Sequence, residues 1–547
     1  MATHGEPSAV DVKDEARLAQ LGYKQELKRD WSVLHNFGVS FSIISVVTGI
    51  TTLFRSVFAL LDFQHHVYGL NTGGPGVMTV GWIVVSFFTF FVGLSMAEIV
   101  SAIPTSGGPY FWAAMLAPQK HAAIFSWFCG WFNFVGQFAV TTGITFGCAN
   151  LISTLVSVKN ASYEGTPGMI IGIHAALLVS HGLTNTFGVH ILRYLNNSSI
   201  ILHSLGCSAL AIAVVSAAPT HRSAKEVFAT FYDGTGVDGA PGWSERASPA
   251  YVAITGILLS QYTITGFDAS AHLSEETRNA SWSAPIGVLT SIGVSAVFGF
   301  FLLVCLLFSI QNFETTVASD YSQPVLQILV DIFGEDGAIA LFTLIIICVW
   351  HCGLFSMTSN SRMMFAFSRD GALPKFFDHV DMRFQSPIRA VWLAAFLAFL
   401  LSLPSLGSAV AFSAATSIAT IGLYISYVIP VVAALIWPQN FVKGPFDLGK
   451  FSRPVGIISI LWVTFITIVF CLPSLNPVDS QTLNYTPVAV GIVIFFTSVS
   501  WFFWAHKWFT GPIRQIEAEQ AGVSIAPGEY ERAEEEGIVN DVVCGKI

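Results

Sequence analysis

The sequence has few charged residues. Asp, Glu, Lys and Arg make up 11% of its 547 residues, whereas 53% of the residues are hydrophobic and the mean hydropathy is +0.64. A soluble chain usually carries about 25% charged residues, so this chain has too few to cover the surface of a globule of its size. The shortage excludes a soluble enzyme and indicates a single body that crosses a membrane many times.

Stretches without any Asp, Glu, Lys or Arg recur along the chain. Each can supply the roughly 20 apolar residues that cross a bilayer as a helix, and the longest stretch is split into two spans at Ser405-Leu406-Gly407. We therefore predict an all-α integral membrane protein with twelve transmembrane helices, because a transmembrane β-barrel would show shorter, alternating segments. The stretches are 31–54, 63–97, 121–158, 165–192, 194–221, 247–267, 279–313, 337–361, 390–442, 454–478 and 480–506.

Positive charges are distributed unevenly between the loops. If the N-terminus is cytoplasmic, twenty Lys and Arg residues lie on that side and only four lie outside, as the positive-inside rule requires. We therefore predict that both termini are cytoplasmic, with an N-terminal tail at 1–30 and an acidic C-terminal tail at 508–547. The net charge of −9 and the lack of a basic cluster beyond these loops give no sign of a nucleic acid partner.

Cysteine pairs and catalytic motifs are also missing. The chain has eight Cys, and no predicted outer loop holds a pair, so a disulfide framework is not expected. Cys348 and Cys352 share one helix face and are interpreted as packing residues rather than metal ligands. The sequence contains no P-loop and no His-Glu-x-x-His spacing, which argues against ATP-driven transport and against a membrane-embedded metalloenzyme. We expect no metal site, no cofactor and no enzyme activity.

Two predicted spans contain a weak point near the middle of the membrane. Span 1 carries Gly49 among hydroxyl and β-branched residues, and span 6 carries Gly266 followed by Asp268. A broken helix leaves backbone groups unpaired, which lipid tolerates only where those groups line a cavity or meet a ligand. The alternative is that these glycines only permit close helix packing.

Broken helices 1 and 6, five helices apart, are the arrangement of a LeuT-like 5+5 inverted repeat. We predict a twelve-helix domain at 31–507. Repeat one covers about 31–218, repeat two covers about 249–436, and helices 11 and 12 cover about 454–507.

Four motifs carry a resemblance to a known family: SVVTGI at 45–50, MAEI at 96–99, PTSGGPYFW at 104–112 and GFDASAHLSEET at 266–277. In these motifs the chain resembles an amino acid permease of the amino acid–polyamine–organocation superfamily, in its amino acid/choline transporter branch. It is similar to fungal permeases for GABA, choline and amino acids, from about residue 22 to about residue 510. One departure is an extra stretch at about 55–67, interpreted either as a genuine extension or as a gene-model artefact.

The resemblance implies that helices 1 and 6 are unwound at the membrane centre and hold the substrate. Helix ends present N–H groups to an anion and carbonyl groups to a cation, so a zwitterionic amino acid fits between them. We expect the backbone N–H groups of Thr48, Gly49 and Ile50 to bind the carboxylate, with Ser45 adding a hydroxyl group.

On helix 6, we expect Gly266, Phe267 and Asp268 to supply carbonyl groups and charge for the amino group, with Ala269 and Ser270 completing the segment. Phe267 would act as an aromatic gate. Asp268 is the strongest single candidate, because an ionised carboxylate at membrane depth needs an ammonium group, a proton or water beside it. Its alternative role is that of a helix-capping carboxylate, and the two roles are compatible.

Four further polar residues are candidates for gating or coupling. Glu98 closes span 2 and is interpreted as a gate or a loop anchor. Asn133 and Gln137 lie on one face of span 3, where they either line the cavity or bond between helices. His351, in span 8, either relays protons or is a hydrogen-bonded packing residue.

We therefore expect a secondary active transporter of amino acids or related amines that works by alternating access. The resemblance favours proton symport, and the substrates left open are an amino acid, GABA, choline and a polyamine. The alternatives are a nutrient sensor or receptor built on a transporter fold, and an amino acid exchanger. The expected partners are the small-molecule substrate, protons and the lipid bilayer. The expected location is the plasma membrane, with the vacuole or another internal membrane as the alternative.

Overall fold

The computed structural model of the chain is helical throughout the part that it describes. Within that part no strand forms, and the β pairings are four isolated bridges. The predicted all-α class is therefore confirmed. The described residues are 9–54, 69–160, 162–237, 239–319, 321, 323–381, 383–408 and 416–512.

The helices vary from one turn to more than ten turns in length. They are α1 Ala9–Gln20, α2 Val33–Ile44, α3 Val46–Leu53, α4 Gly74–Ala102, α5 Pro109–Leu116, α6 Gln119–Lys159, α7 Pro167–Phe187, α8 Val189–Ile201, α9 Cys207–Ala217, α10 Ala224–Ala229, α11 Trp243–Arg246, α12 Pro249–Gly256, α13 Leu258–Thr263, α14 Ala269–His272, α15 Ala280–Phe308, α16 Phe313–Val317, α17 Pro324–Arg369, α18 Ile388–Ser402, α19 Ile418–Ile436, α20 Ser452–Phe470 and α21 Thr486–Phe503.

Eleven helical segments among the described residues are long and apolar enough to cross a membrane, with α2 and α3 counted as one segment. The sixth predicted stretch, 247–267, is not among them. It forms the short helices α12 and α13 instead, and the chain continues through a non-helical turn into α14. The shortfall from twelve to eleven therefore falls on one of the two spans that were expected to be broken.

Helix starts follow simple local rules. The Thr166 hydroxyl accepts a hydrogen bond from Met169 N at the start of α7, and the Ser248 hydroxyl accepts one from Tyr251 N at the start of α12. In both cases a proline follows the capping residue, where a backbone N–H would have no partner within the helix. A hydroxyl residue followed by proline therefore marks the start of both α7 and α12.

The first span lies in the centre of the bundle. In its most apolar window 72% of residues are buried, against 22% for α21. The segment α2 packs against α15 and α17, α3 packs against α13, and α4 runs along α15. Both broken spans therefore pack against long helices of the bundle, which shields their unpaired backbone groups from lipid.

Some sequence predictions fall on parts of the chain outside the described residues. They are the extra stretch at 55–67, the acidic tail beyond residue 512, and Cys544. Seven cysteines lie in the described ranges, and each is a free thiol there.

Candidate functional site

The first helix breaks at Ser45. This residue has φ 34° and ψ 75°, a left-handed conformation that is uncommon for a side chain other than glycine. Its N–H bonds to Phe41 O at 3.1 Å, which closes α2, and α3 begins at the next residue. The sequence pattern predicted the weak point at Gly49, so the predicted position is wrong by four residues.

Gly49 instead allows two helices to approach closely. It lies inside α3, and a Cβ atom there would be 2.6 Å from Thr263 Cγ2 and 2.7 Å from Thr263 Cβ. Gly49 therefore has the alternative role considered in the sequence, which is to permit close packing between helices.

The second break follows α13 and contains Gly266, as the sequence predicted. Gly266 has φ 100°, and a Cβ atom there would collide with Ile43 Cγ2 in the last turn of α2. A glycine is required at position 266 both by the positive φ and by the close approach of Ile43. Because Gly49 packs against α13 and Gly266 packs against α2, the two breaks contact each other reciprocally.

A cavity of about 200 Å³ lies beside both breaks. Of the predicted binding residues, Thr48 and Gly49 line it. Among its described lining residues there is no Asp, Glu, Lys, Arg or His side chain, and eight carry a hydroxyl group. The lining residues are Ile43, Ile44, Thr48, Gly49, Thr52, Leu53, Ala139, Val140, Gly143, Ile144, Gly147, Tyr262, Thr263, Thr265, Cys352, Thr416, Ser417, Ala419 and Thr420.

Asp268 lies outside this set of lining residues. It is 1% exposed, its Oδ2 accepts a hydrogen bond from Gln137 Nε2 at 2.7 Å, and His272 Nε2 lies 3.3 Å from the same oxygen. The Asp268 side chain makes no capping bond at the start of α14. The structure therefore brings Asp268 together with Gln137 and with His272. No role was predicted for His272 from the sequence.

The rest of the α14 segment is tied to the first helix. Ser270 N donates to Ser40 Oγ at 2.9 Å, and Asn36 Nδ2 donates to Ser270 O at 2.9 Å. Phe267 is fully buried, with its ring centroid 5.2 Å from that of Tyr427. These contacts make 267–270 a joint between helices rather than a lining of the cavity.

A family model described as amino acid permease matches residues 34–495. The chain belongs to the amino acid permease family. It is 42% identical over 534 residues to the amino-acid permease BAT1 of Arabidopsis thaliana, an alignment that covers 94% of this chain and 100% of that one. It is 31% identical over 517 residues to the GABA-specific permease of Saccharomyces cerevisiae, covering 93% of this chain and 87% of that one. The family consists of membrane transporters rather than enzymes.

Three of the proposed gating residues of this permease lie away from the cavity. Glu98 is bonded to Lys443 Nζ at 2.7 Å and Ser452 Oγ at 2.7 Å, which is the arrangement of a loop anchor. Asn133 Nδ2 donates to Ser426 Oγ at 3.0 Å, between α6 and α19. His351 lies 3.0 Å from Ser198 Oγ and 2.9 Å from Ile347 O, so both its ring nitrogens have partners.

His203 is a polar contact of the first break that sequence reasoning missed. Its Nε2 lies 2.8 Å from Ser45 Oγ, and its Nδ1 lies 2.9 Å from Ser199 O. Ser45 Oγ also bonds to Thr48 Oγ1 at 2.5 Å, so a chain of hydrogen bonds runs from His203 to a residue of the cavity. The sequence did contain a signal, because His203 lies in an otherwise apolar predicted span. A polar side chain within a membrane costs free energy and therefore indicates a functional position.

The N-terminal residues of the permease pack across one end of the helix bundle. We call the end of the bundle contacted by residues 9–31 the N-terminal side. There, Tyr23 Oη donates to Asp370 Oδ1 at 2.5 Å, and Tyr110 Oη donates to Asp370 Oδ2 at 2.8 Å. Arg369 pairs with Glu275 at 3.0 Å and lies 3.8 Å from the centroid of the Tyr23 ring.

Asp370 and Glu275, two carboxyl groups among these contacts, have pKa shifts of opposite sign. Burial raises the pKa of Asp370 to about 6, against the lowering effects of Arg369 and of the two tyrosine hydrogen bonds. Burial also raises the pKa of Glu275, but the charge and hydrogen bonds of Arg369 outweigh it and leave that pKa below its ordinary value. Glu275 is therefore ionised at neutral pH, whereas Asp370 titrates close to neutrality.

Proposed function

We propose that this permease is a proton-coupled carrier of an amino acid without net charge and that it works by alternating access. The observation that carries the proposal is the cavity between two helix breaks, whose described lining has no charged side chain. A zwitterion can be held there by helix ends alone. Choline or a polyamine carries a net positive charge and would need a carboxylate in the same cavity.

The substrate carboxylate is proposed to bind at the start of α3. The N–H groups of Val46, Val47 and Thr48 precede the first amide bonded within this helix, that of Gly49, which donates to Ser45 O at 3.1 Å. The first N–H groups of a helix have no partner within it and form a site for anions. Of these three residues Thr48 lines the cavity, and the assignment moves the expected contacts from Gly49 and Ile50 toward the break.

The substrate ammonium group is proposed to bind at the ends of α2 and α13. Ile43 and Ile44 are the last residues of α2, Tyr262 and Thr263 are the last residues of α13, and all four line the cavity. The last carbonyl groups of a helix lack partners within it and carry partial negative charge. Two such ends beside one helix start match the charges of a zwitterion.

Proton coupling is proposed to involve Asp268 and His272. His272 Nδ1 lies 2.8 Å from Ser106 O, and because a carbonyl oxygen only accepts, this nitrogen carries a hydrogen. In the neutral ring, Nε2 would then direct a lone pair at Asp268 Oδ2, 3.3 Å away. A proton placed between the two atoms would turn this repulsion into attraction, and we propose the pair as the coupling site on this geometry.

Alternating access is supported by the asymmetry of the described conformation. The cavity lies beside α3 and the start of α19, whereas Tyr23 and Tyr110 both bond to Asp370 across the N-terminal side.

We further propose a topology of twelve spans, with 249–272 as the sixth. The two repeats are proposed at about 31–218 and 249–436, with helices 11–12 at 454–507. Both termini are proposed to be cytoplasmic, and the protein to reside in the plasma membrane.

The test is uptake in permease-deficient cells with radiolabelled small neutral amino acids, GABA, lysine, choline and spermidine. We expect accumulation of one or more of the net-neutral substrates and its loss with a proton uncoupler. Uptake of choline or spermidine in preference to every net-neutral substrate would contradict the proposed substrate class, and accumulation that survives the uncoupler would contradict coupling to protons.

Two variants separate coupling from binding. Asp268→Asn and His272→Gln are expected to abolish uphill accumulation while preserving counterflow of preloaded substrate, which needs no proton gradient. Asp336→Asn is the matched control. The Asp336 side chain is 93% exposed and lies at the end of the bundle opposite the N-terminal side, beside Lys159. Normal accumulation by Asp268→Asn at equal surface expression would remove the pair from the coupling mechanism.

A further inference from the structure

A second cavity, of about 240 Å³, lies between the last turns of α4 and α19 and the start of α20. It is at the N-terminal side, since Arg17 Nη2 donates to Ala102 O at the end of α4. We call it the interface pocket. Its lining residues are Ser95, Glu98, Ile99, Val431, Ala434, Leu435, Pro438, Phe441, Lys443, Gly449, Lys450, Ser452, Arg453 and Gly456.

The interface pocket has an excess of positive charge. Lys443, Lys450 and Arg453 line it with one carboxylate, Glu98, which already bonds to Lys443. Asp447, which is not a lining residue, lies 3.8 Å from the same lysine. Within the described residues neither Lys450 nor Arg453 forms an ion pair. Two cations are therefore available to an anion that enters the pocket.

The start of α20 also lies at the pocket, where Ser452 Oγ donates to Glu98 Oε2 at 2.7 Å. The helix begins at Ser452, so the positive end of its dipole lies at the pocket. Because Glu98 already partners the helix start, a phosphate group in the pocket would be bound by the two cationic side chains.

The surroundings of the pocket are apolar and exposed. Val442 is 74% exposed and Phe451 is 60% exposed, and each adjoins one of the lysines in sequence. The inner wall is formed by aliphatic residues of α4 and α19. Exposed apolar residues interleaved with Lys and Arg are typical of a membrane–water interface. A free phosphate ion would make no use of them, whereas a lipid would place its acyl chains there.

We propose that the interface pocket binds the phosphate headgroup of an anionic phospholipid from the leaflet at the N-terminal side. Lys450 and Arg453 contact the phosphate, and the aliphatic wall contacts the glycerol and the first acyl methylenes. The pocket is formed by three helices, so a bound lipid holds α4, α19 and α20 together.

The test uses the full chain, purified in a neutral detergent, and titrations with defined lipids followed by native mass spectrometry. Dioleoylphosphatidylserine is expected to bind and dioleoylphosphatidylcholine to bind weakly. Each cation near an anionic lipid surface contributes about 1 kcal/mol. The double variant Lys450→Gln/Arg453→Gln should therefore weaken phosphatidylserine binding about 30-fold.

The matched control is Lys375→Gln/Arg383→Gln, which removes two exposed cations from the loop between α17 and α18. It should leave lipid affinity unchanged. An equal loss in both double variants, or no loss in the pocket variant when its thermal midpoint matches that of the wild type, would overturn the proposal. Displacement of the lipid by an equal concentration of inorganic phosphate would assign the pocket to a free anion and would also overturn it.

Discussion

Arg362 and Glu276 form a buried ion pair on the N-terminal side. Arg362 Nε lies 2.7 Å from Glu276 Oε1, and the two side chains are 0% and 4% exposed. Two charges removed from water depend on each other, so the loss of one leaves the other without compensation. The pair joins the segment that follows the second break to α17.

Replacing Glu276 should destabilise the fold. Glu276→Gln leaves the Arg362 charge buried, and the expected cost is about 3–5 kcal/mol of unfolding free energy, measured by thermal denaturation in detergent. Glu335→Gln is the control, because the Lys159–Glu335 pair is about half exposed and an exposed pair contributes at most about 1 kcal/mol. Equal shifts in the two variants would show that burial does not set the cost.

Gly49 is predicted to admit no side chain. In Gly49→Ala the new methyl group overlaps Thr263, and overpacking of this kind costs about 1–3 kcal/mol. We expect uptake to fall at least tenfold at equal surface expression, and we expect Thr263→Gly in the same chain to restore part of it. Gly172→Ala, which has nothing within 4 Å of the added atom, should transport normally. Normal uptake by Gly49→Ala would mean that the two breaks do not need this contact.

At the scale of elements, the N-terminal segment 9–31 behaves as a strap across one end of the bundle. The N–H groups of Asp30 and Trp31 donate to Glu276 O at 3.1 and 3.0 Å, and Arg29 pairs with Asp14 at 3.3 Å. The strap reaches Asp370 through the Tyr23 hydroxyl. Detachment of the segment from the bundle would break these hydrogen bonds.

Detachment of the strap should depend on pH. The pKa of Asp370 rises from an ordinary 3.8 to about 6 in the closed form, so the closed form binds more protons between these values. Closure is favoured below about pH 4, and this advantage is lost as pH rises toward 6. If opening restores the ordinary pKa, the opening constant should increase about tenfold from pH 5 to pH 7.

Hydrogen exchange of the backbone amides of residues 23–31, corrected for intrinsic rates, measures this opening. Asp370→Asn should remove the pH dependence, because Glu275 has a lowered pKa and remains ionised over this range. A pH dependence that persists in Asp370→Asn would assign the effect to another group.

At the scale of the whole molecule, the distribution of Lys and Arg predicts which side of the membrane each loop faces. Lys13 and Lys225 are exposed residues at opposite ends of the bundle. In intact cells, a membrane-impermeant thiol reagent should label Lys225→Cys but should label Lys13→Cys only after permeabilisation. The parent chain measures the background from its own cysteines. The reverse pattern would invert the proposed topology.

Much of the architecture was predictable because the membrane imposes a local rule. A helix within lipid must be apolar for about 20 residues, so runs without charge reveal its position without knowledge of its neighbours. The same rule made Asp268 conspicuous and placed the second break correctly at Gly266. The rule does not distinguish a continuous helix from a divided one, because 247–267 is apolar enough to span but divides into α12 and α13.

The sequence by itself determined the helical class, the amino acid permease family and the two segments that depart from helix. Only the tertiary structure decided that the first break is at Ser45 and that Thr263 leaves no room for a side chain at position 49. It also decided that Asp268 lies against Gln137 and His272. The physical reason is distance along the chain. Gln137 is 131 residues from Asp268, and a pattern of neighbouring residues holds no information about which side chain packing brings against it.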